Sequence, residues 1–213
     1  MRWVKVVQLA LVPAALVAGG LTATLILTGD VAESPAMTAT FGLIIGLGWC
    51  LTGLAEWERR PASRIGPLMV VLGFAWFASL LQETSVDVLF TIGLFFEAFY
   101  IAVFAHVLLS FPSGRLEGRL SRAIVVAAYV CTTVVVGAAV LFSDPDCCVQ
   151  NLALVDGNET LAETIGNVAS GIGVLLTLLS LIVVAQRWHR ATPPARRVMA
   201  PVLWSGWAST SRL

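Results

Sequence analysis

The chain has 213 residues, of which 58% are hydrophobic and only 12% are charged. Ordinary soluble domains carry about 25% charged residues, so this composition excludes a typical water-soluble domain and predicts a protein whose main partner is the lipid bilayer. Thirteen Lys and Arg balance thirteen Asp and Glu, so the net charge gives no reason to expect a nucleic acid as a partner.

Long apolar runs with few charges mark the predicted transmembrane helices. A helix needs about 17 to 25 apolar residues to cross a hydrocarbon core about 30 Å thick, and six runs meet or nearly meet that length. They cover residues 6–27, 36–55, 65–81, 86–111, 123–142 and 164–185. The first run exceeds the apolar length of a secretory signal, so we interpret it as a retained helix. The sequence therefore predicts an all-α integral membrane protein built as a six-helix transmembrane bundle.

A seventh apolar segment follows the predicted membrane domain of residues 1–197. Its apolar part, residues 198–210, would be about 20 Å long as a helix, which is too short to span a bilayer alone. We therefore expect residues 198–213 to be a truncated seventh segment, and whether it inserts into the membrane stays open.

Positive charges occupy every alternate connection between the runs. They are Arg2 and Lys5, then Arg59, Arg60 and Arg64, then Arg115, Arg119 and Arg122, and finally Arg187, Arg190, Arg196 and Arg197. The other connections carry acidic residues and no Lys or Arg. Because Lys and Arg are retained on the cytoplasmic side, this pattern predicts a multi-pass protein of the cell membrane whose N-terminus is cytoplasmic.

Glu97 is the first candidate for a ligand-sensing residue, because it lies near the middle of the fourth run, about 16 Å from its outer end in an unbroken helix. A charged carboxylate there costs about 2.5 to 3.5 kcal/mol on insertion scales. Glu97 is either a ligand contact or proton-responsive group, or a protonated carboxyl that bonds to a neighbouring helix. His106 lies nine residues later, so its side chain would point about 180° away. We expect it to be an interfacial histidine rather than a ligand.

Cys147 and Cys148 are the other sensing candidates, in the long outer connection between residues 143 and 163. A strained vicinal disulfide, an intermolecular bridge and free thiols all remain open. Elsewhere the sequence shows no phosphate-binding glycine loop, zinc-ligand cluster or nucleophile elbow. We therefore predict no catalytic residue, no metal site and no cofactor.

Two small-xxx-small spacings mark candidate helix-packing faces. Gly42 and Gly46 form one in the second run, and Gly166 and Ser170 form another in the sixth. Such spacings let helices approach closely. Packing inside the bundle is the simpler interpretation, and a homodimer face is the alternative.

Several ordered motifs resemble the membrane regions of actinobacterial two-component sensor histidine kinases. The first is a membrane-exit motif, FPSGRL, at Phe111, Pro112, Ser113, Gly114, Arg115 and Leu116. The others are RRPASRIG at 59–66, GFAWF at 73–77, CCVQNL at 147–152 and PPARRVMAPVLW at 193–204. The resemblance spans roughly residues 41–207. In the exit motif, Pro112 and Gly114 would stop the helix and Arg115 would hold its end in the cytoplasm.

The resemblance implies a signal-input module of sensor-kinase type with a cytoplasmic kinase or response regulator as partner. The kinase core of that family is missing from this sequence, and His189 lacks the acidic neighbour of a phosphoacceptor histidine. We therefore predict no enzyme activity for this chain. The alternatives are a small proton-coupled transporter or permease that uses Glu97, and a membrane scaffold or assembly subunit.

Overall fold

The computed structural model describes residues 2–145 and 149–190, and all of the regular secondary structure within them is helical. Cys147, Cys148 and the predicted seventh segment, 198–213, lie outside the described residues. The helices are α1 (Arg2–Thr28), α2 (Pro35–Arg59), α3 (Ile65–Ser79), α4 (Asp87–Phe96), α5 (Phe99–Ser110), α6 (Arg119–Val130), α7 (Val136–Val140) and α8 (Glu159–Arg190). A 3-10 turn, Leu80–Glu83, extends α3, and a π-helical turn, Cys131–Val135, joins α6 to α7.

Six helical segments of the described chain are long and apolar enough to cross a membrane. They cover Lys5–Thr28, Pro35–Arg59, Ile65–Glu83, Asp87–Ser110, Arg119–Val140 and Glu159–Arg187. Each contains one of the six apolar runs, apart from a residue or two at the ends of the fourth and fifth. The prediction of an all-α chain with six helices of membrane-spanning length is therefore confirmed.

The fourth segment departs from the sequence-based prediction of one unbroken helix. Helix α4 ends at Phe96 and α5 begins at Phe99, so Glu97 and Ala98 form a turn between them. The prediction of continuous helical geometry through Glu97 is wrong, and the 180° argument that separated Glu97 from His106 loses its basis. The break accompanies tight packing one turn earlier, where a Cβ atom on Gly93 would overlap the backbone at Gln82.

Helices α2 and α3 pack with their backbones in close approach. A Cβ atom on Gly66 would lie 2.6 Å from the Trp57 Cβ atom and 2.7 Å from the Gly53 carbonyl oxygen. One on Gly46 would overlap the Phe77 ring. Glycines therefore let these two helices approach closely enough for backbone contact, as small residues do between membrane helices.

The two ends of the bundle differ in charge. The α2–α3 and α5–α6 connections and the C-terminal end of α8 bring arginines to one end, which we call the basic end. The opposite end, the acidic end, carries the connections with Asp30, Glu33, Asp87, Asp144 and Asp156. This segregation is what the positive-inside pattern of the sequence requires of antiparallel helices.

Candidate functional site

A cavity of about 920 Å³ lies between α4 and α5 on one side and α8 on the other, with the π-helical turn and α7 between them. We call it the α8 cleft. Its volume falls in the range of about 300 to 1,000 Å³ that small-molecule sites occupy. Most of its walls are apolar, with Ile101 and Leu108 from α5 and Val174 and Leu181 from α8.

Glu97 lines the α8 cleft and is exposed to it. The ten residues of α4 place it about 15 Å from the acidic end of that helix. Within the described ranges no side chain hydrogen-bonds to its carboxylate or pairs with it, and the ion pair found there is Arg60 with Glu56. The structure thus presents Glu97 as a carboxylate facing an apolar cavity, with none of the described cations against it.

Three further carboxylates line the cleft nearer the acidic end. Asp144 follows α7, and Glu159 and Glu163 lie in the first turns of α8. None of the described residues that line the cleft is Lys, Arg or His. Among the described residues no three His, Cys, Asp or Glu side chains are grouped so that they could hold a metal ion. The cleft is therefore apolar and negatively charged, and its carboxylates are spread along its length.

Sequence reasoning missed Asp144, Glu159 and Glu163, although a usable signal was present. Small and polar residues recur at helical spacing along α8, at Glu159, Glu163, Gly166, Ser170, Gly173 and Thr177, and all of them line the cleft. Spacings of three and four residues place side chains on one helix face. This face of α8 points at the cleft and not at a packed neighbour, because a Cβ atom on Gly166 or Gly173 would meet nothing within 4 Å.

The two small-xxx-small spacings therefore occupy different environments. Gly46 lies against Phe77, and a Cβ atom on Gly42 would lie 2.6 Å from the Leu80 Cδ1 atom, so the α2 pair packs inside the bundle. Gly166 and Ser170 instead line the cleft.

Two of the helix irregularities in the described chain border this cleft. The turn at Glu97 and Ala98 is one wall, and Cys131 and Thr132 of the π-helical turn form part of another. Interrupted membrane helices and π-turns are frequent at binding sites, where the freed backbone groups line a cavity.

His106 takes no part in the cleft lining. Its Nδ1 atom lies 3.3 Å from the Tyr129 hydroxyl oxygen, and the two rings meet edge to face at 6.0 Å. The structure therefore assigns His106 to the α5–α6 packing interface and does not bring it together with Glu97.

The residues that follow Cys148 anchor the outer connection to the bundle. The Asn151 side chain is buried and its Nδ2 atom donates hydrogen bonds to the carbonyl oxygens of Val140 at 2.7 Å and Ser143 at 2.9 Å. The Leu152 amide donates to the Thr91 hydroxyl at 3.0 Å, and the Gln150 amide donates to Asp87 at 2.9 Å. The connection is thus fixed to both α4 and α7 beside the acidic end of the cleft.

At the basic end, Arg187 ties α8 to the connection after α5. Its guanidinium donates to the carbonyl oxygens of Leu109 at 2.6 Å and Glu117 at 3.1 Å, and to the Ser121 hydroxyl at 3.0 Å. One side chain thereby joins the last turn of α5, the α5–α6 connection and the first turn of α6 to α8.

The membrane-exit motif lies in the same region. The Gly114 amide donates to the Ser110 carbonyl oxygen at 2.8 Å, and Gly114 has a φ of 74°, which favours glycine. A Cβ atom there would lie 2.7 Å from the Cα atom of Arg64. The exit motif and the RRPASRIG turn, which are distant in the sequence, are therefore in direct contact. Arg115 is exposed beside them.

We find no match for the chain among models of known protein families, curated proteins or solved structures.

Proposed function

We propose that the chain is a multi-pass protein of the cell membrane whose basic end faces the cytoplasm. Six helices of sufficient length and apolarity support insertion, and the separation of basic from acidic connections supports the orientation. The proposal places the N-terminus and the C-terminal end of α8 in the cytoplasm, and it places the end of the α8 cleft that Asp144 lines toward the outside.

Within that membrane setting, the proposed function is signal input of the sensor-kinase type, without a catalytic step in this chain. One observation carries the proposal: α8 lines the cleft from Glu159 to Leu181 and, just beyond it, Arg187 ties α8 to α5 and α6. About 25 Å of continuous helix separates Ser170 from Arg187. Because a helix moves largely as a rigid body, a ligand that repositions α8 at the cleft would change the contacts of Arg187.

The packing of α8 supports such movement. It is the least buried of the six segments, and it contacts only α5, α6, the π-helical turn and α7 to any extent. Its apolar contacts with Leu109, Ile124 and Val125 lie near the basic end, through residues such as Val183. Helix α8 is thus lightly buried although it also contacts α7 and the π-helical turn, and a shift along these few contacts is the movement that a two-state input element needs.

The proposed partner is a cytoplasmic kinase or response regulator at the basic end. The motifs that resemble sensor kinases support this choice, because two of them form the contact between Gly114 and Arg64 beside the Arg187 tie. A homodimer of the chain is compatible with the exposed face of α8.

Spin-label distance measurements test the coupling. Labels at Ala62→Cys and Gln186→Cys, in a chain whose four native cysteines are replaced by Ala, report the distance between the α2–α3 turn and the end of α8. Membranes of different thickness and amphiphiles of positive, zero and negative charge serve as stimuli. We expect two distance populations whose ratio changes with at least one stimulus. A single unchanging population, identical in Arg187→Gln, would contradict the proposal.

A transporter is the second candidate, favoured by the helix interruption at Glu97 beside a cavity, since discontinuous helices carry the substrate sites of many transporters. Proteoliposome uptake assays separate the two functions. Transport requires flux that is lost in Glu97→Gln, whereas a sensor changes its distance distribution without net flux.

A further inference from the structure

The charge of the α8 cleft selects among the ligands that its size admits. Its carboxylates come from three parts of the chain: the α4–α5 turn with Glu97, the connection after α7 with Asp144, and the start of α8 with Glu159 and Glu163. The walls between them are largely apolar, and no basic residue lines them. An anionic ligand would meet uncompensated repulsion, and a neutral one would leave each carboxylate without a partner.

Glu97 is the carboxylate of the cleft that most needs a positively charged partner. It has no hydrogen-bond or ion-pair partner among the described residues, and it lines a mostly apolar cavity. Carboxylates at such depth in a membrane pair with cations or face a cavity that admits them. The residue therefore lacks a cation, and the cavity beside it has room for one.

A bare metal ion does not fit the volume and lining of the cleft well. About 920 Å³ of mostly apolar space far exceeds the shell of an inorganic cation, and no group of three potential ligands occurs among the described residues. An organic cation with an apolar body satisfies both features, because its charge meets Glu97 while its body covers side chains such as Ile101 and Val174.

We propose that the α8 cleft binds a free amphipathic organic monocation, with the positive centre against Glu97 and the apolar body between α5 and α8. This inference rests on the proposed role of the cleft as the input site and names the class of ligand it takes. A bulky aromatic body suits the volume of the cleft, which Asp144 and Glu159 line at the acidic end.

Tetraphenylphosphonium and tetraphenylborate form a matched pair of probes, because they share size and shape and differ in the sign of their charge. Equilibrium binding of each to the full chain in phosphatidylglycerol nanodiscs is measured against empty nanodiscs. We expect saturable binding of the phosphonium at one site per chain, and none of the borate above the empty discs. Equal binding of both ions, or no saturable phosphonium binding, would overturn the proposal.

Three variants locate the site. Glu97→Gln should weaken phosphonium binding by about tenfold, since it removes the charge opposite the phosphonium in a mostly apolar cleft. Glu33→Gln removes the same charge from an exposed position at the acidic end and outside the cleft, so it should leave the affinity unchanged. Gly166→Phe retains every carboxylate but fills the cleft, and it should abolish binding, because the space beside Gly166 is open. Unchanged binding in both Glu97→Gln and Gly166→Phe would refute the site.

Nanodiscs of a second lipid and the spin-label distances separate the remaining outcomes. If phosphatidylethanolamine nanodiscs suppress phosphonium binding, the cleft takes a lipid ammonium group and the assignment to a free cation fails. If no cation binds but the label distances still respond to another stimulus, the ligand class fails and the signal-input function stands. If the phosphonium binds through Glu97 without any distance change, the site stands and the coupling fails.

Discussion

The guanidinium of Arg187 donates a hydrogen bond of 2.6 Å to the carbonyl oxygen of Leu109, 78 residues earlier in the chain. Leu109 is fully buried, and Ser110 after it donates its hydroxyl back to the His106 carbonyl oxygen, so the last turn of α5 is closed by side chains. A helix end leaves carbonyl groups without intrahelical partners, and basic side chains can satisfy them. Arg187 meets this need from a different helix, which makes the end of α5 dependent on the position of α8.

Replacing Arg187 should loosen the basic end of the bundle. In Arg187→Gln the Leu109 carbonyl loses its charged donor, and a buried carbonyl left unpaired costs about 1 to 3 kcal/mol. We expect a lower midpoint for reversible unfolding in mixed micelles and faster hydrogen exchange in residues 108–121. Arg187→Lys keeps the charge but has no planar fork, so it should recover only part of the loss.

Arg122 provides the matched control for the charge. It is an exposed arginine near the same end of the bundle, and no side-chain hydrogen bond or ion pair involves it within the described residues. Arg122→Gln should therefore leave the unfolding midpoint almost unchanged. Equal losses in Arg122→Gln and Arg187→Gln would mean that net charge at this end, and not the tie to Leu109, stabilises the bundle.

Glycines at the α2–α3 contact should tolerate no side chain. Gly66→Ala places a methyl group against the Trp57 backbone and the Gly53 carbonyl oxygen, neither of which can rotate away, so the helices must separate. Overpacking of this kind costs about 1 to 3 kcal/mol. We expect the free energy of unfolding to fall by that amount in denaturant titrations.

Gly48 supplies the control within α2. A Cβ atom there meets nothing within 4 Å, and Gly48 lies inside a helix, where Ala is favoured over Gly by about 0.5 to 1 kcal/mol. Gly48→Ala should therefore leave the free energy of unfolding unchanged or raise it. Destabilisation of Gly48→Ala to the same extent as Gly66→Ala would refute the close approach of α2 and α3.

The number of helical segments of membrane-spanning length could be predicted from the sequence, because apolar length is a local property. The break at Glu97 could not, because its sequence, Phe-Phe-Glu-Ala-Phe, contains no Gly or Pro. The contact of Gly93 with the Gln82 backbone beside it depends on how α4 folds back along the end of α3. Tertiary packing therefore determines where this segment stops being helical.

The candidate site was only partly visible in the sequence for a similar reason. Glu97 stands out as a lone charge in an apolar run, and in the structure it lines the α8 cleft. Arg187 and Asn151 give no such signal, since arginines are expected in a basic connection and asparagines in a loop. What distinguishes them is the set of carbonyl groups they reach, and those lie on other segments.

Cysteine labelling should give opposite results at the two ends of the bundle. Ser113 and Ala62 are exposed at the basic end, and Glu33 and Asp156 are exposed at the acidic end. With the basic end in the cytoplasm, Glu33→Cys and Asp156→Cys should react with a membrane-impermeant maleimide on intact cells, and Ala62→Cys and Ser113→Cys only after lysis. The chain without its four native cysteines is the blank. The reverse pattern would place the N-terminus outside.

Asn151 should hold in place the outer connection that contains the sensing candidates Cys147 and Cys148. Asn151→Leu keeps the side-chain volume but removes both donors, so the buried carbonyl oxygens of Val140 and Ser143 lose their partners. We expect a loss of about 1 to 3 kcal/mol and faster proteolysis of the connection, because its anchor to α7 is gone. Gln150→Leu is the control: Gln150 is exposed and is held through its backbone amide, so the side chain can be replaced without loss of that bond. If both variants are cleaved at the same rate as the unaltered chain, the hydrogen bonds of Asn151 do not hold the connection. The contacts with Asp87 and Thr91 would then suffice to fix it beside the acidic end of the cleft.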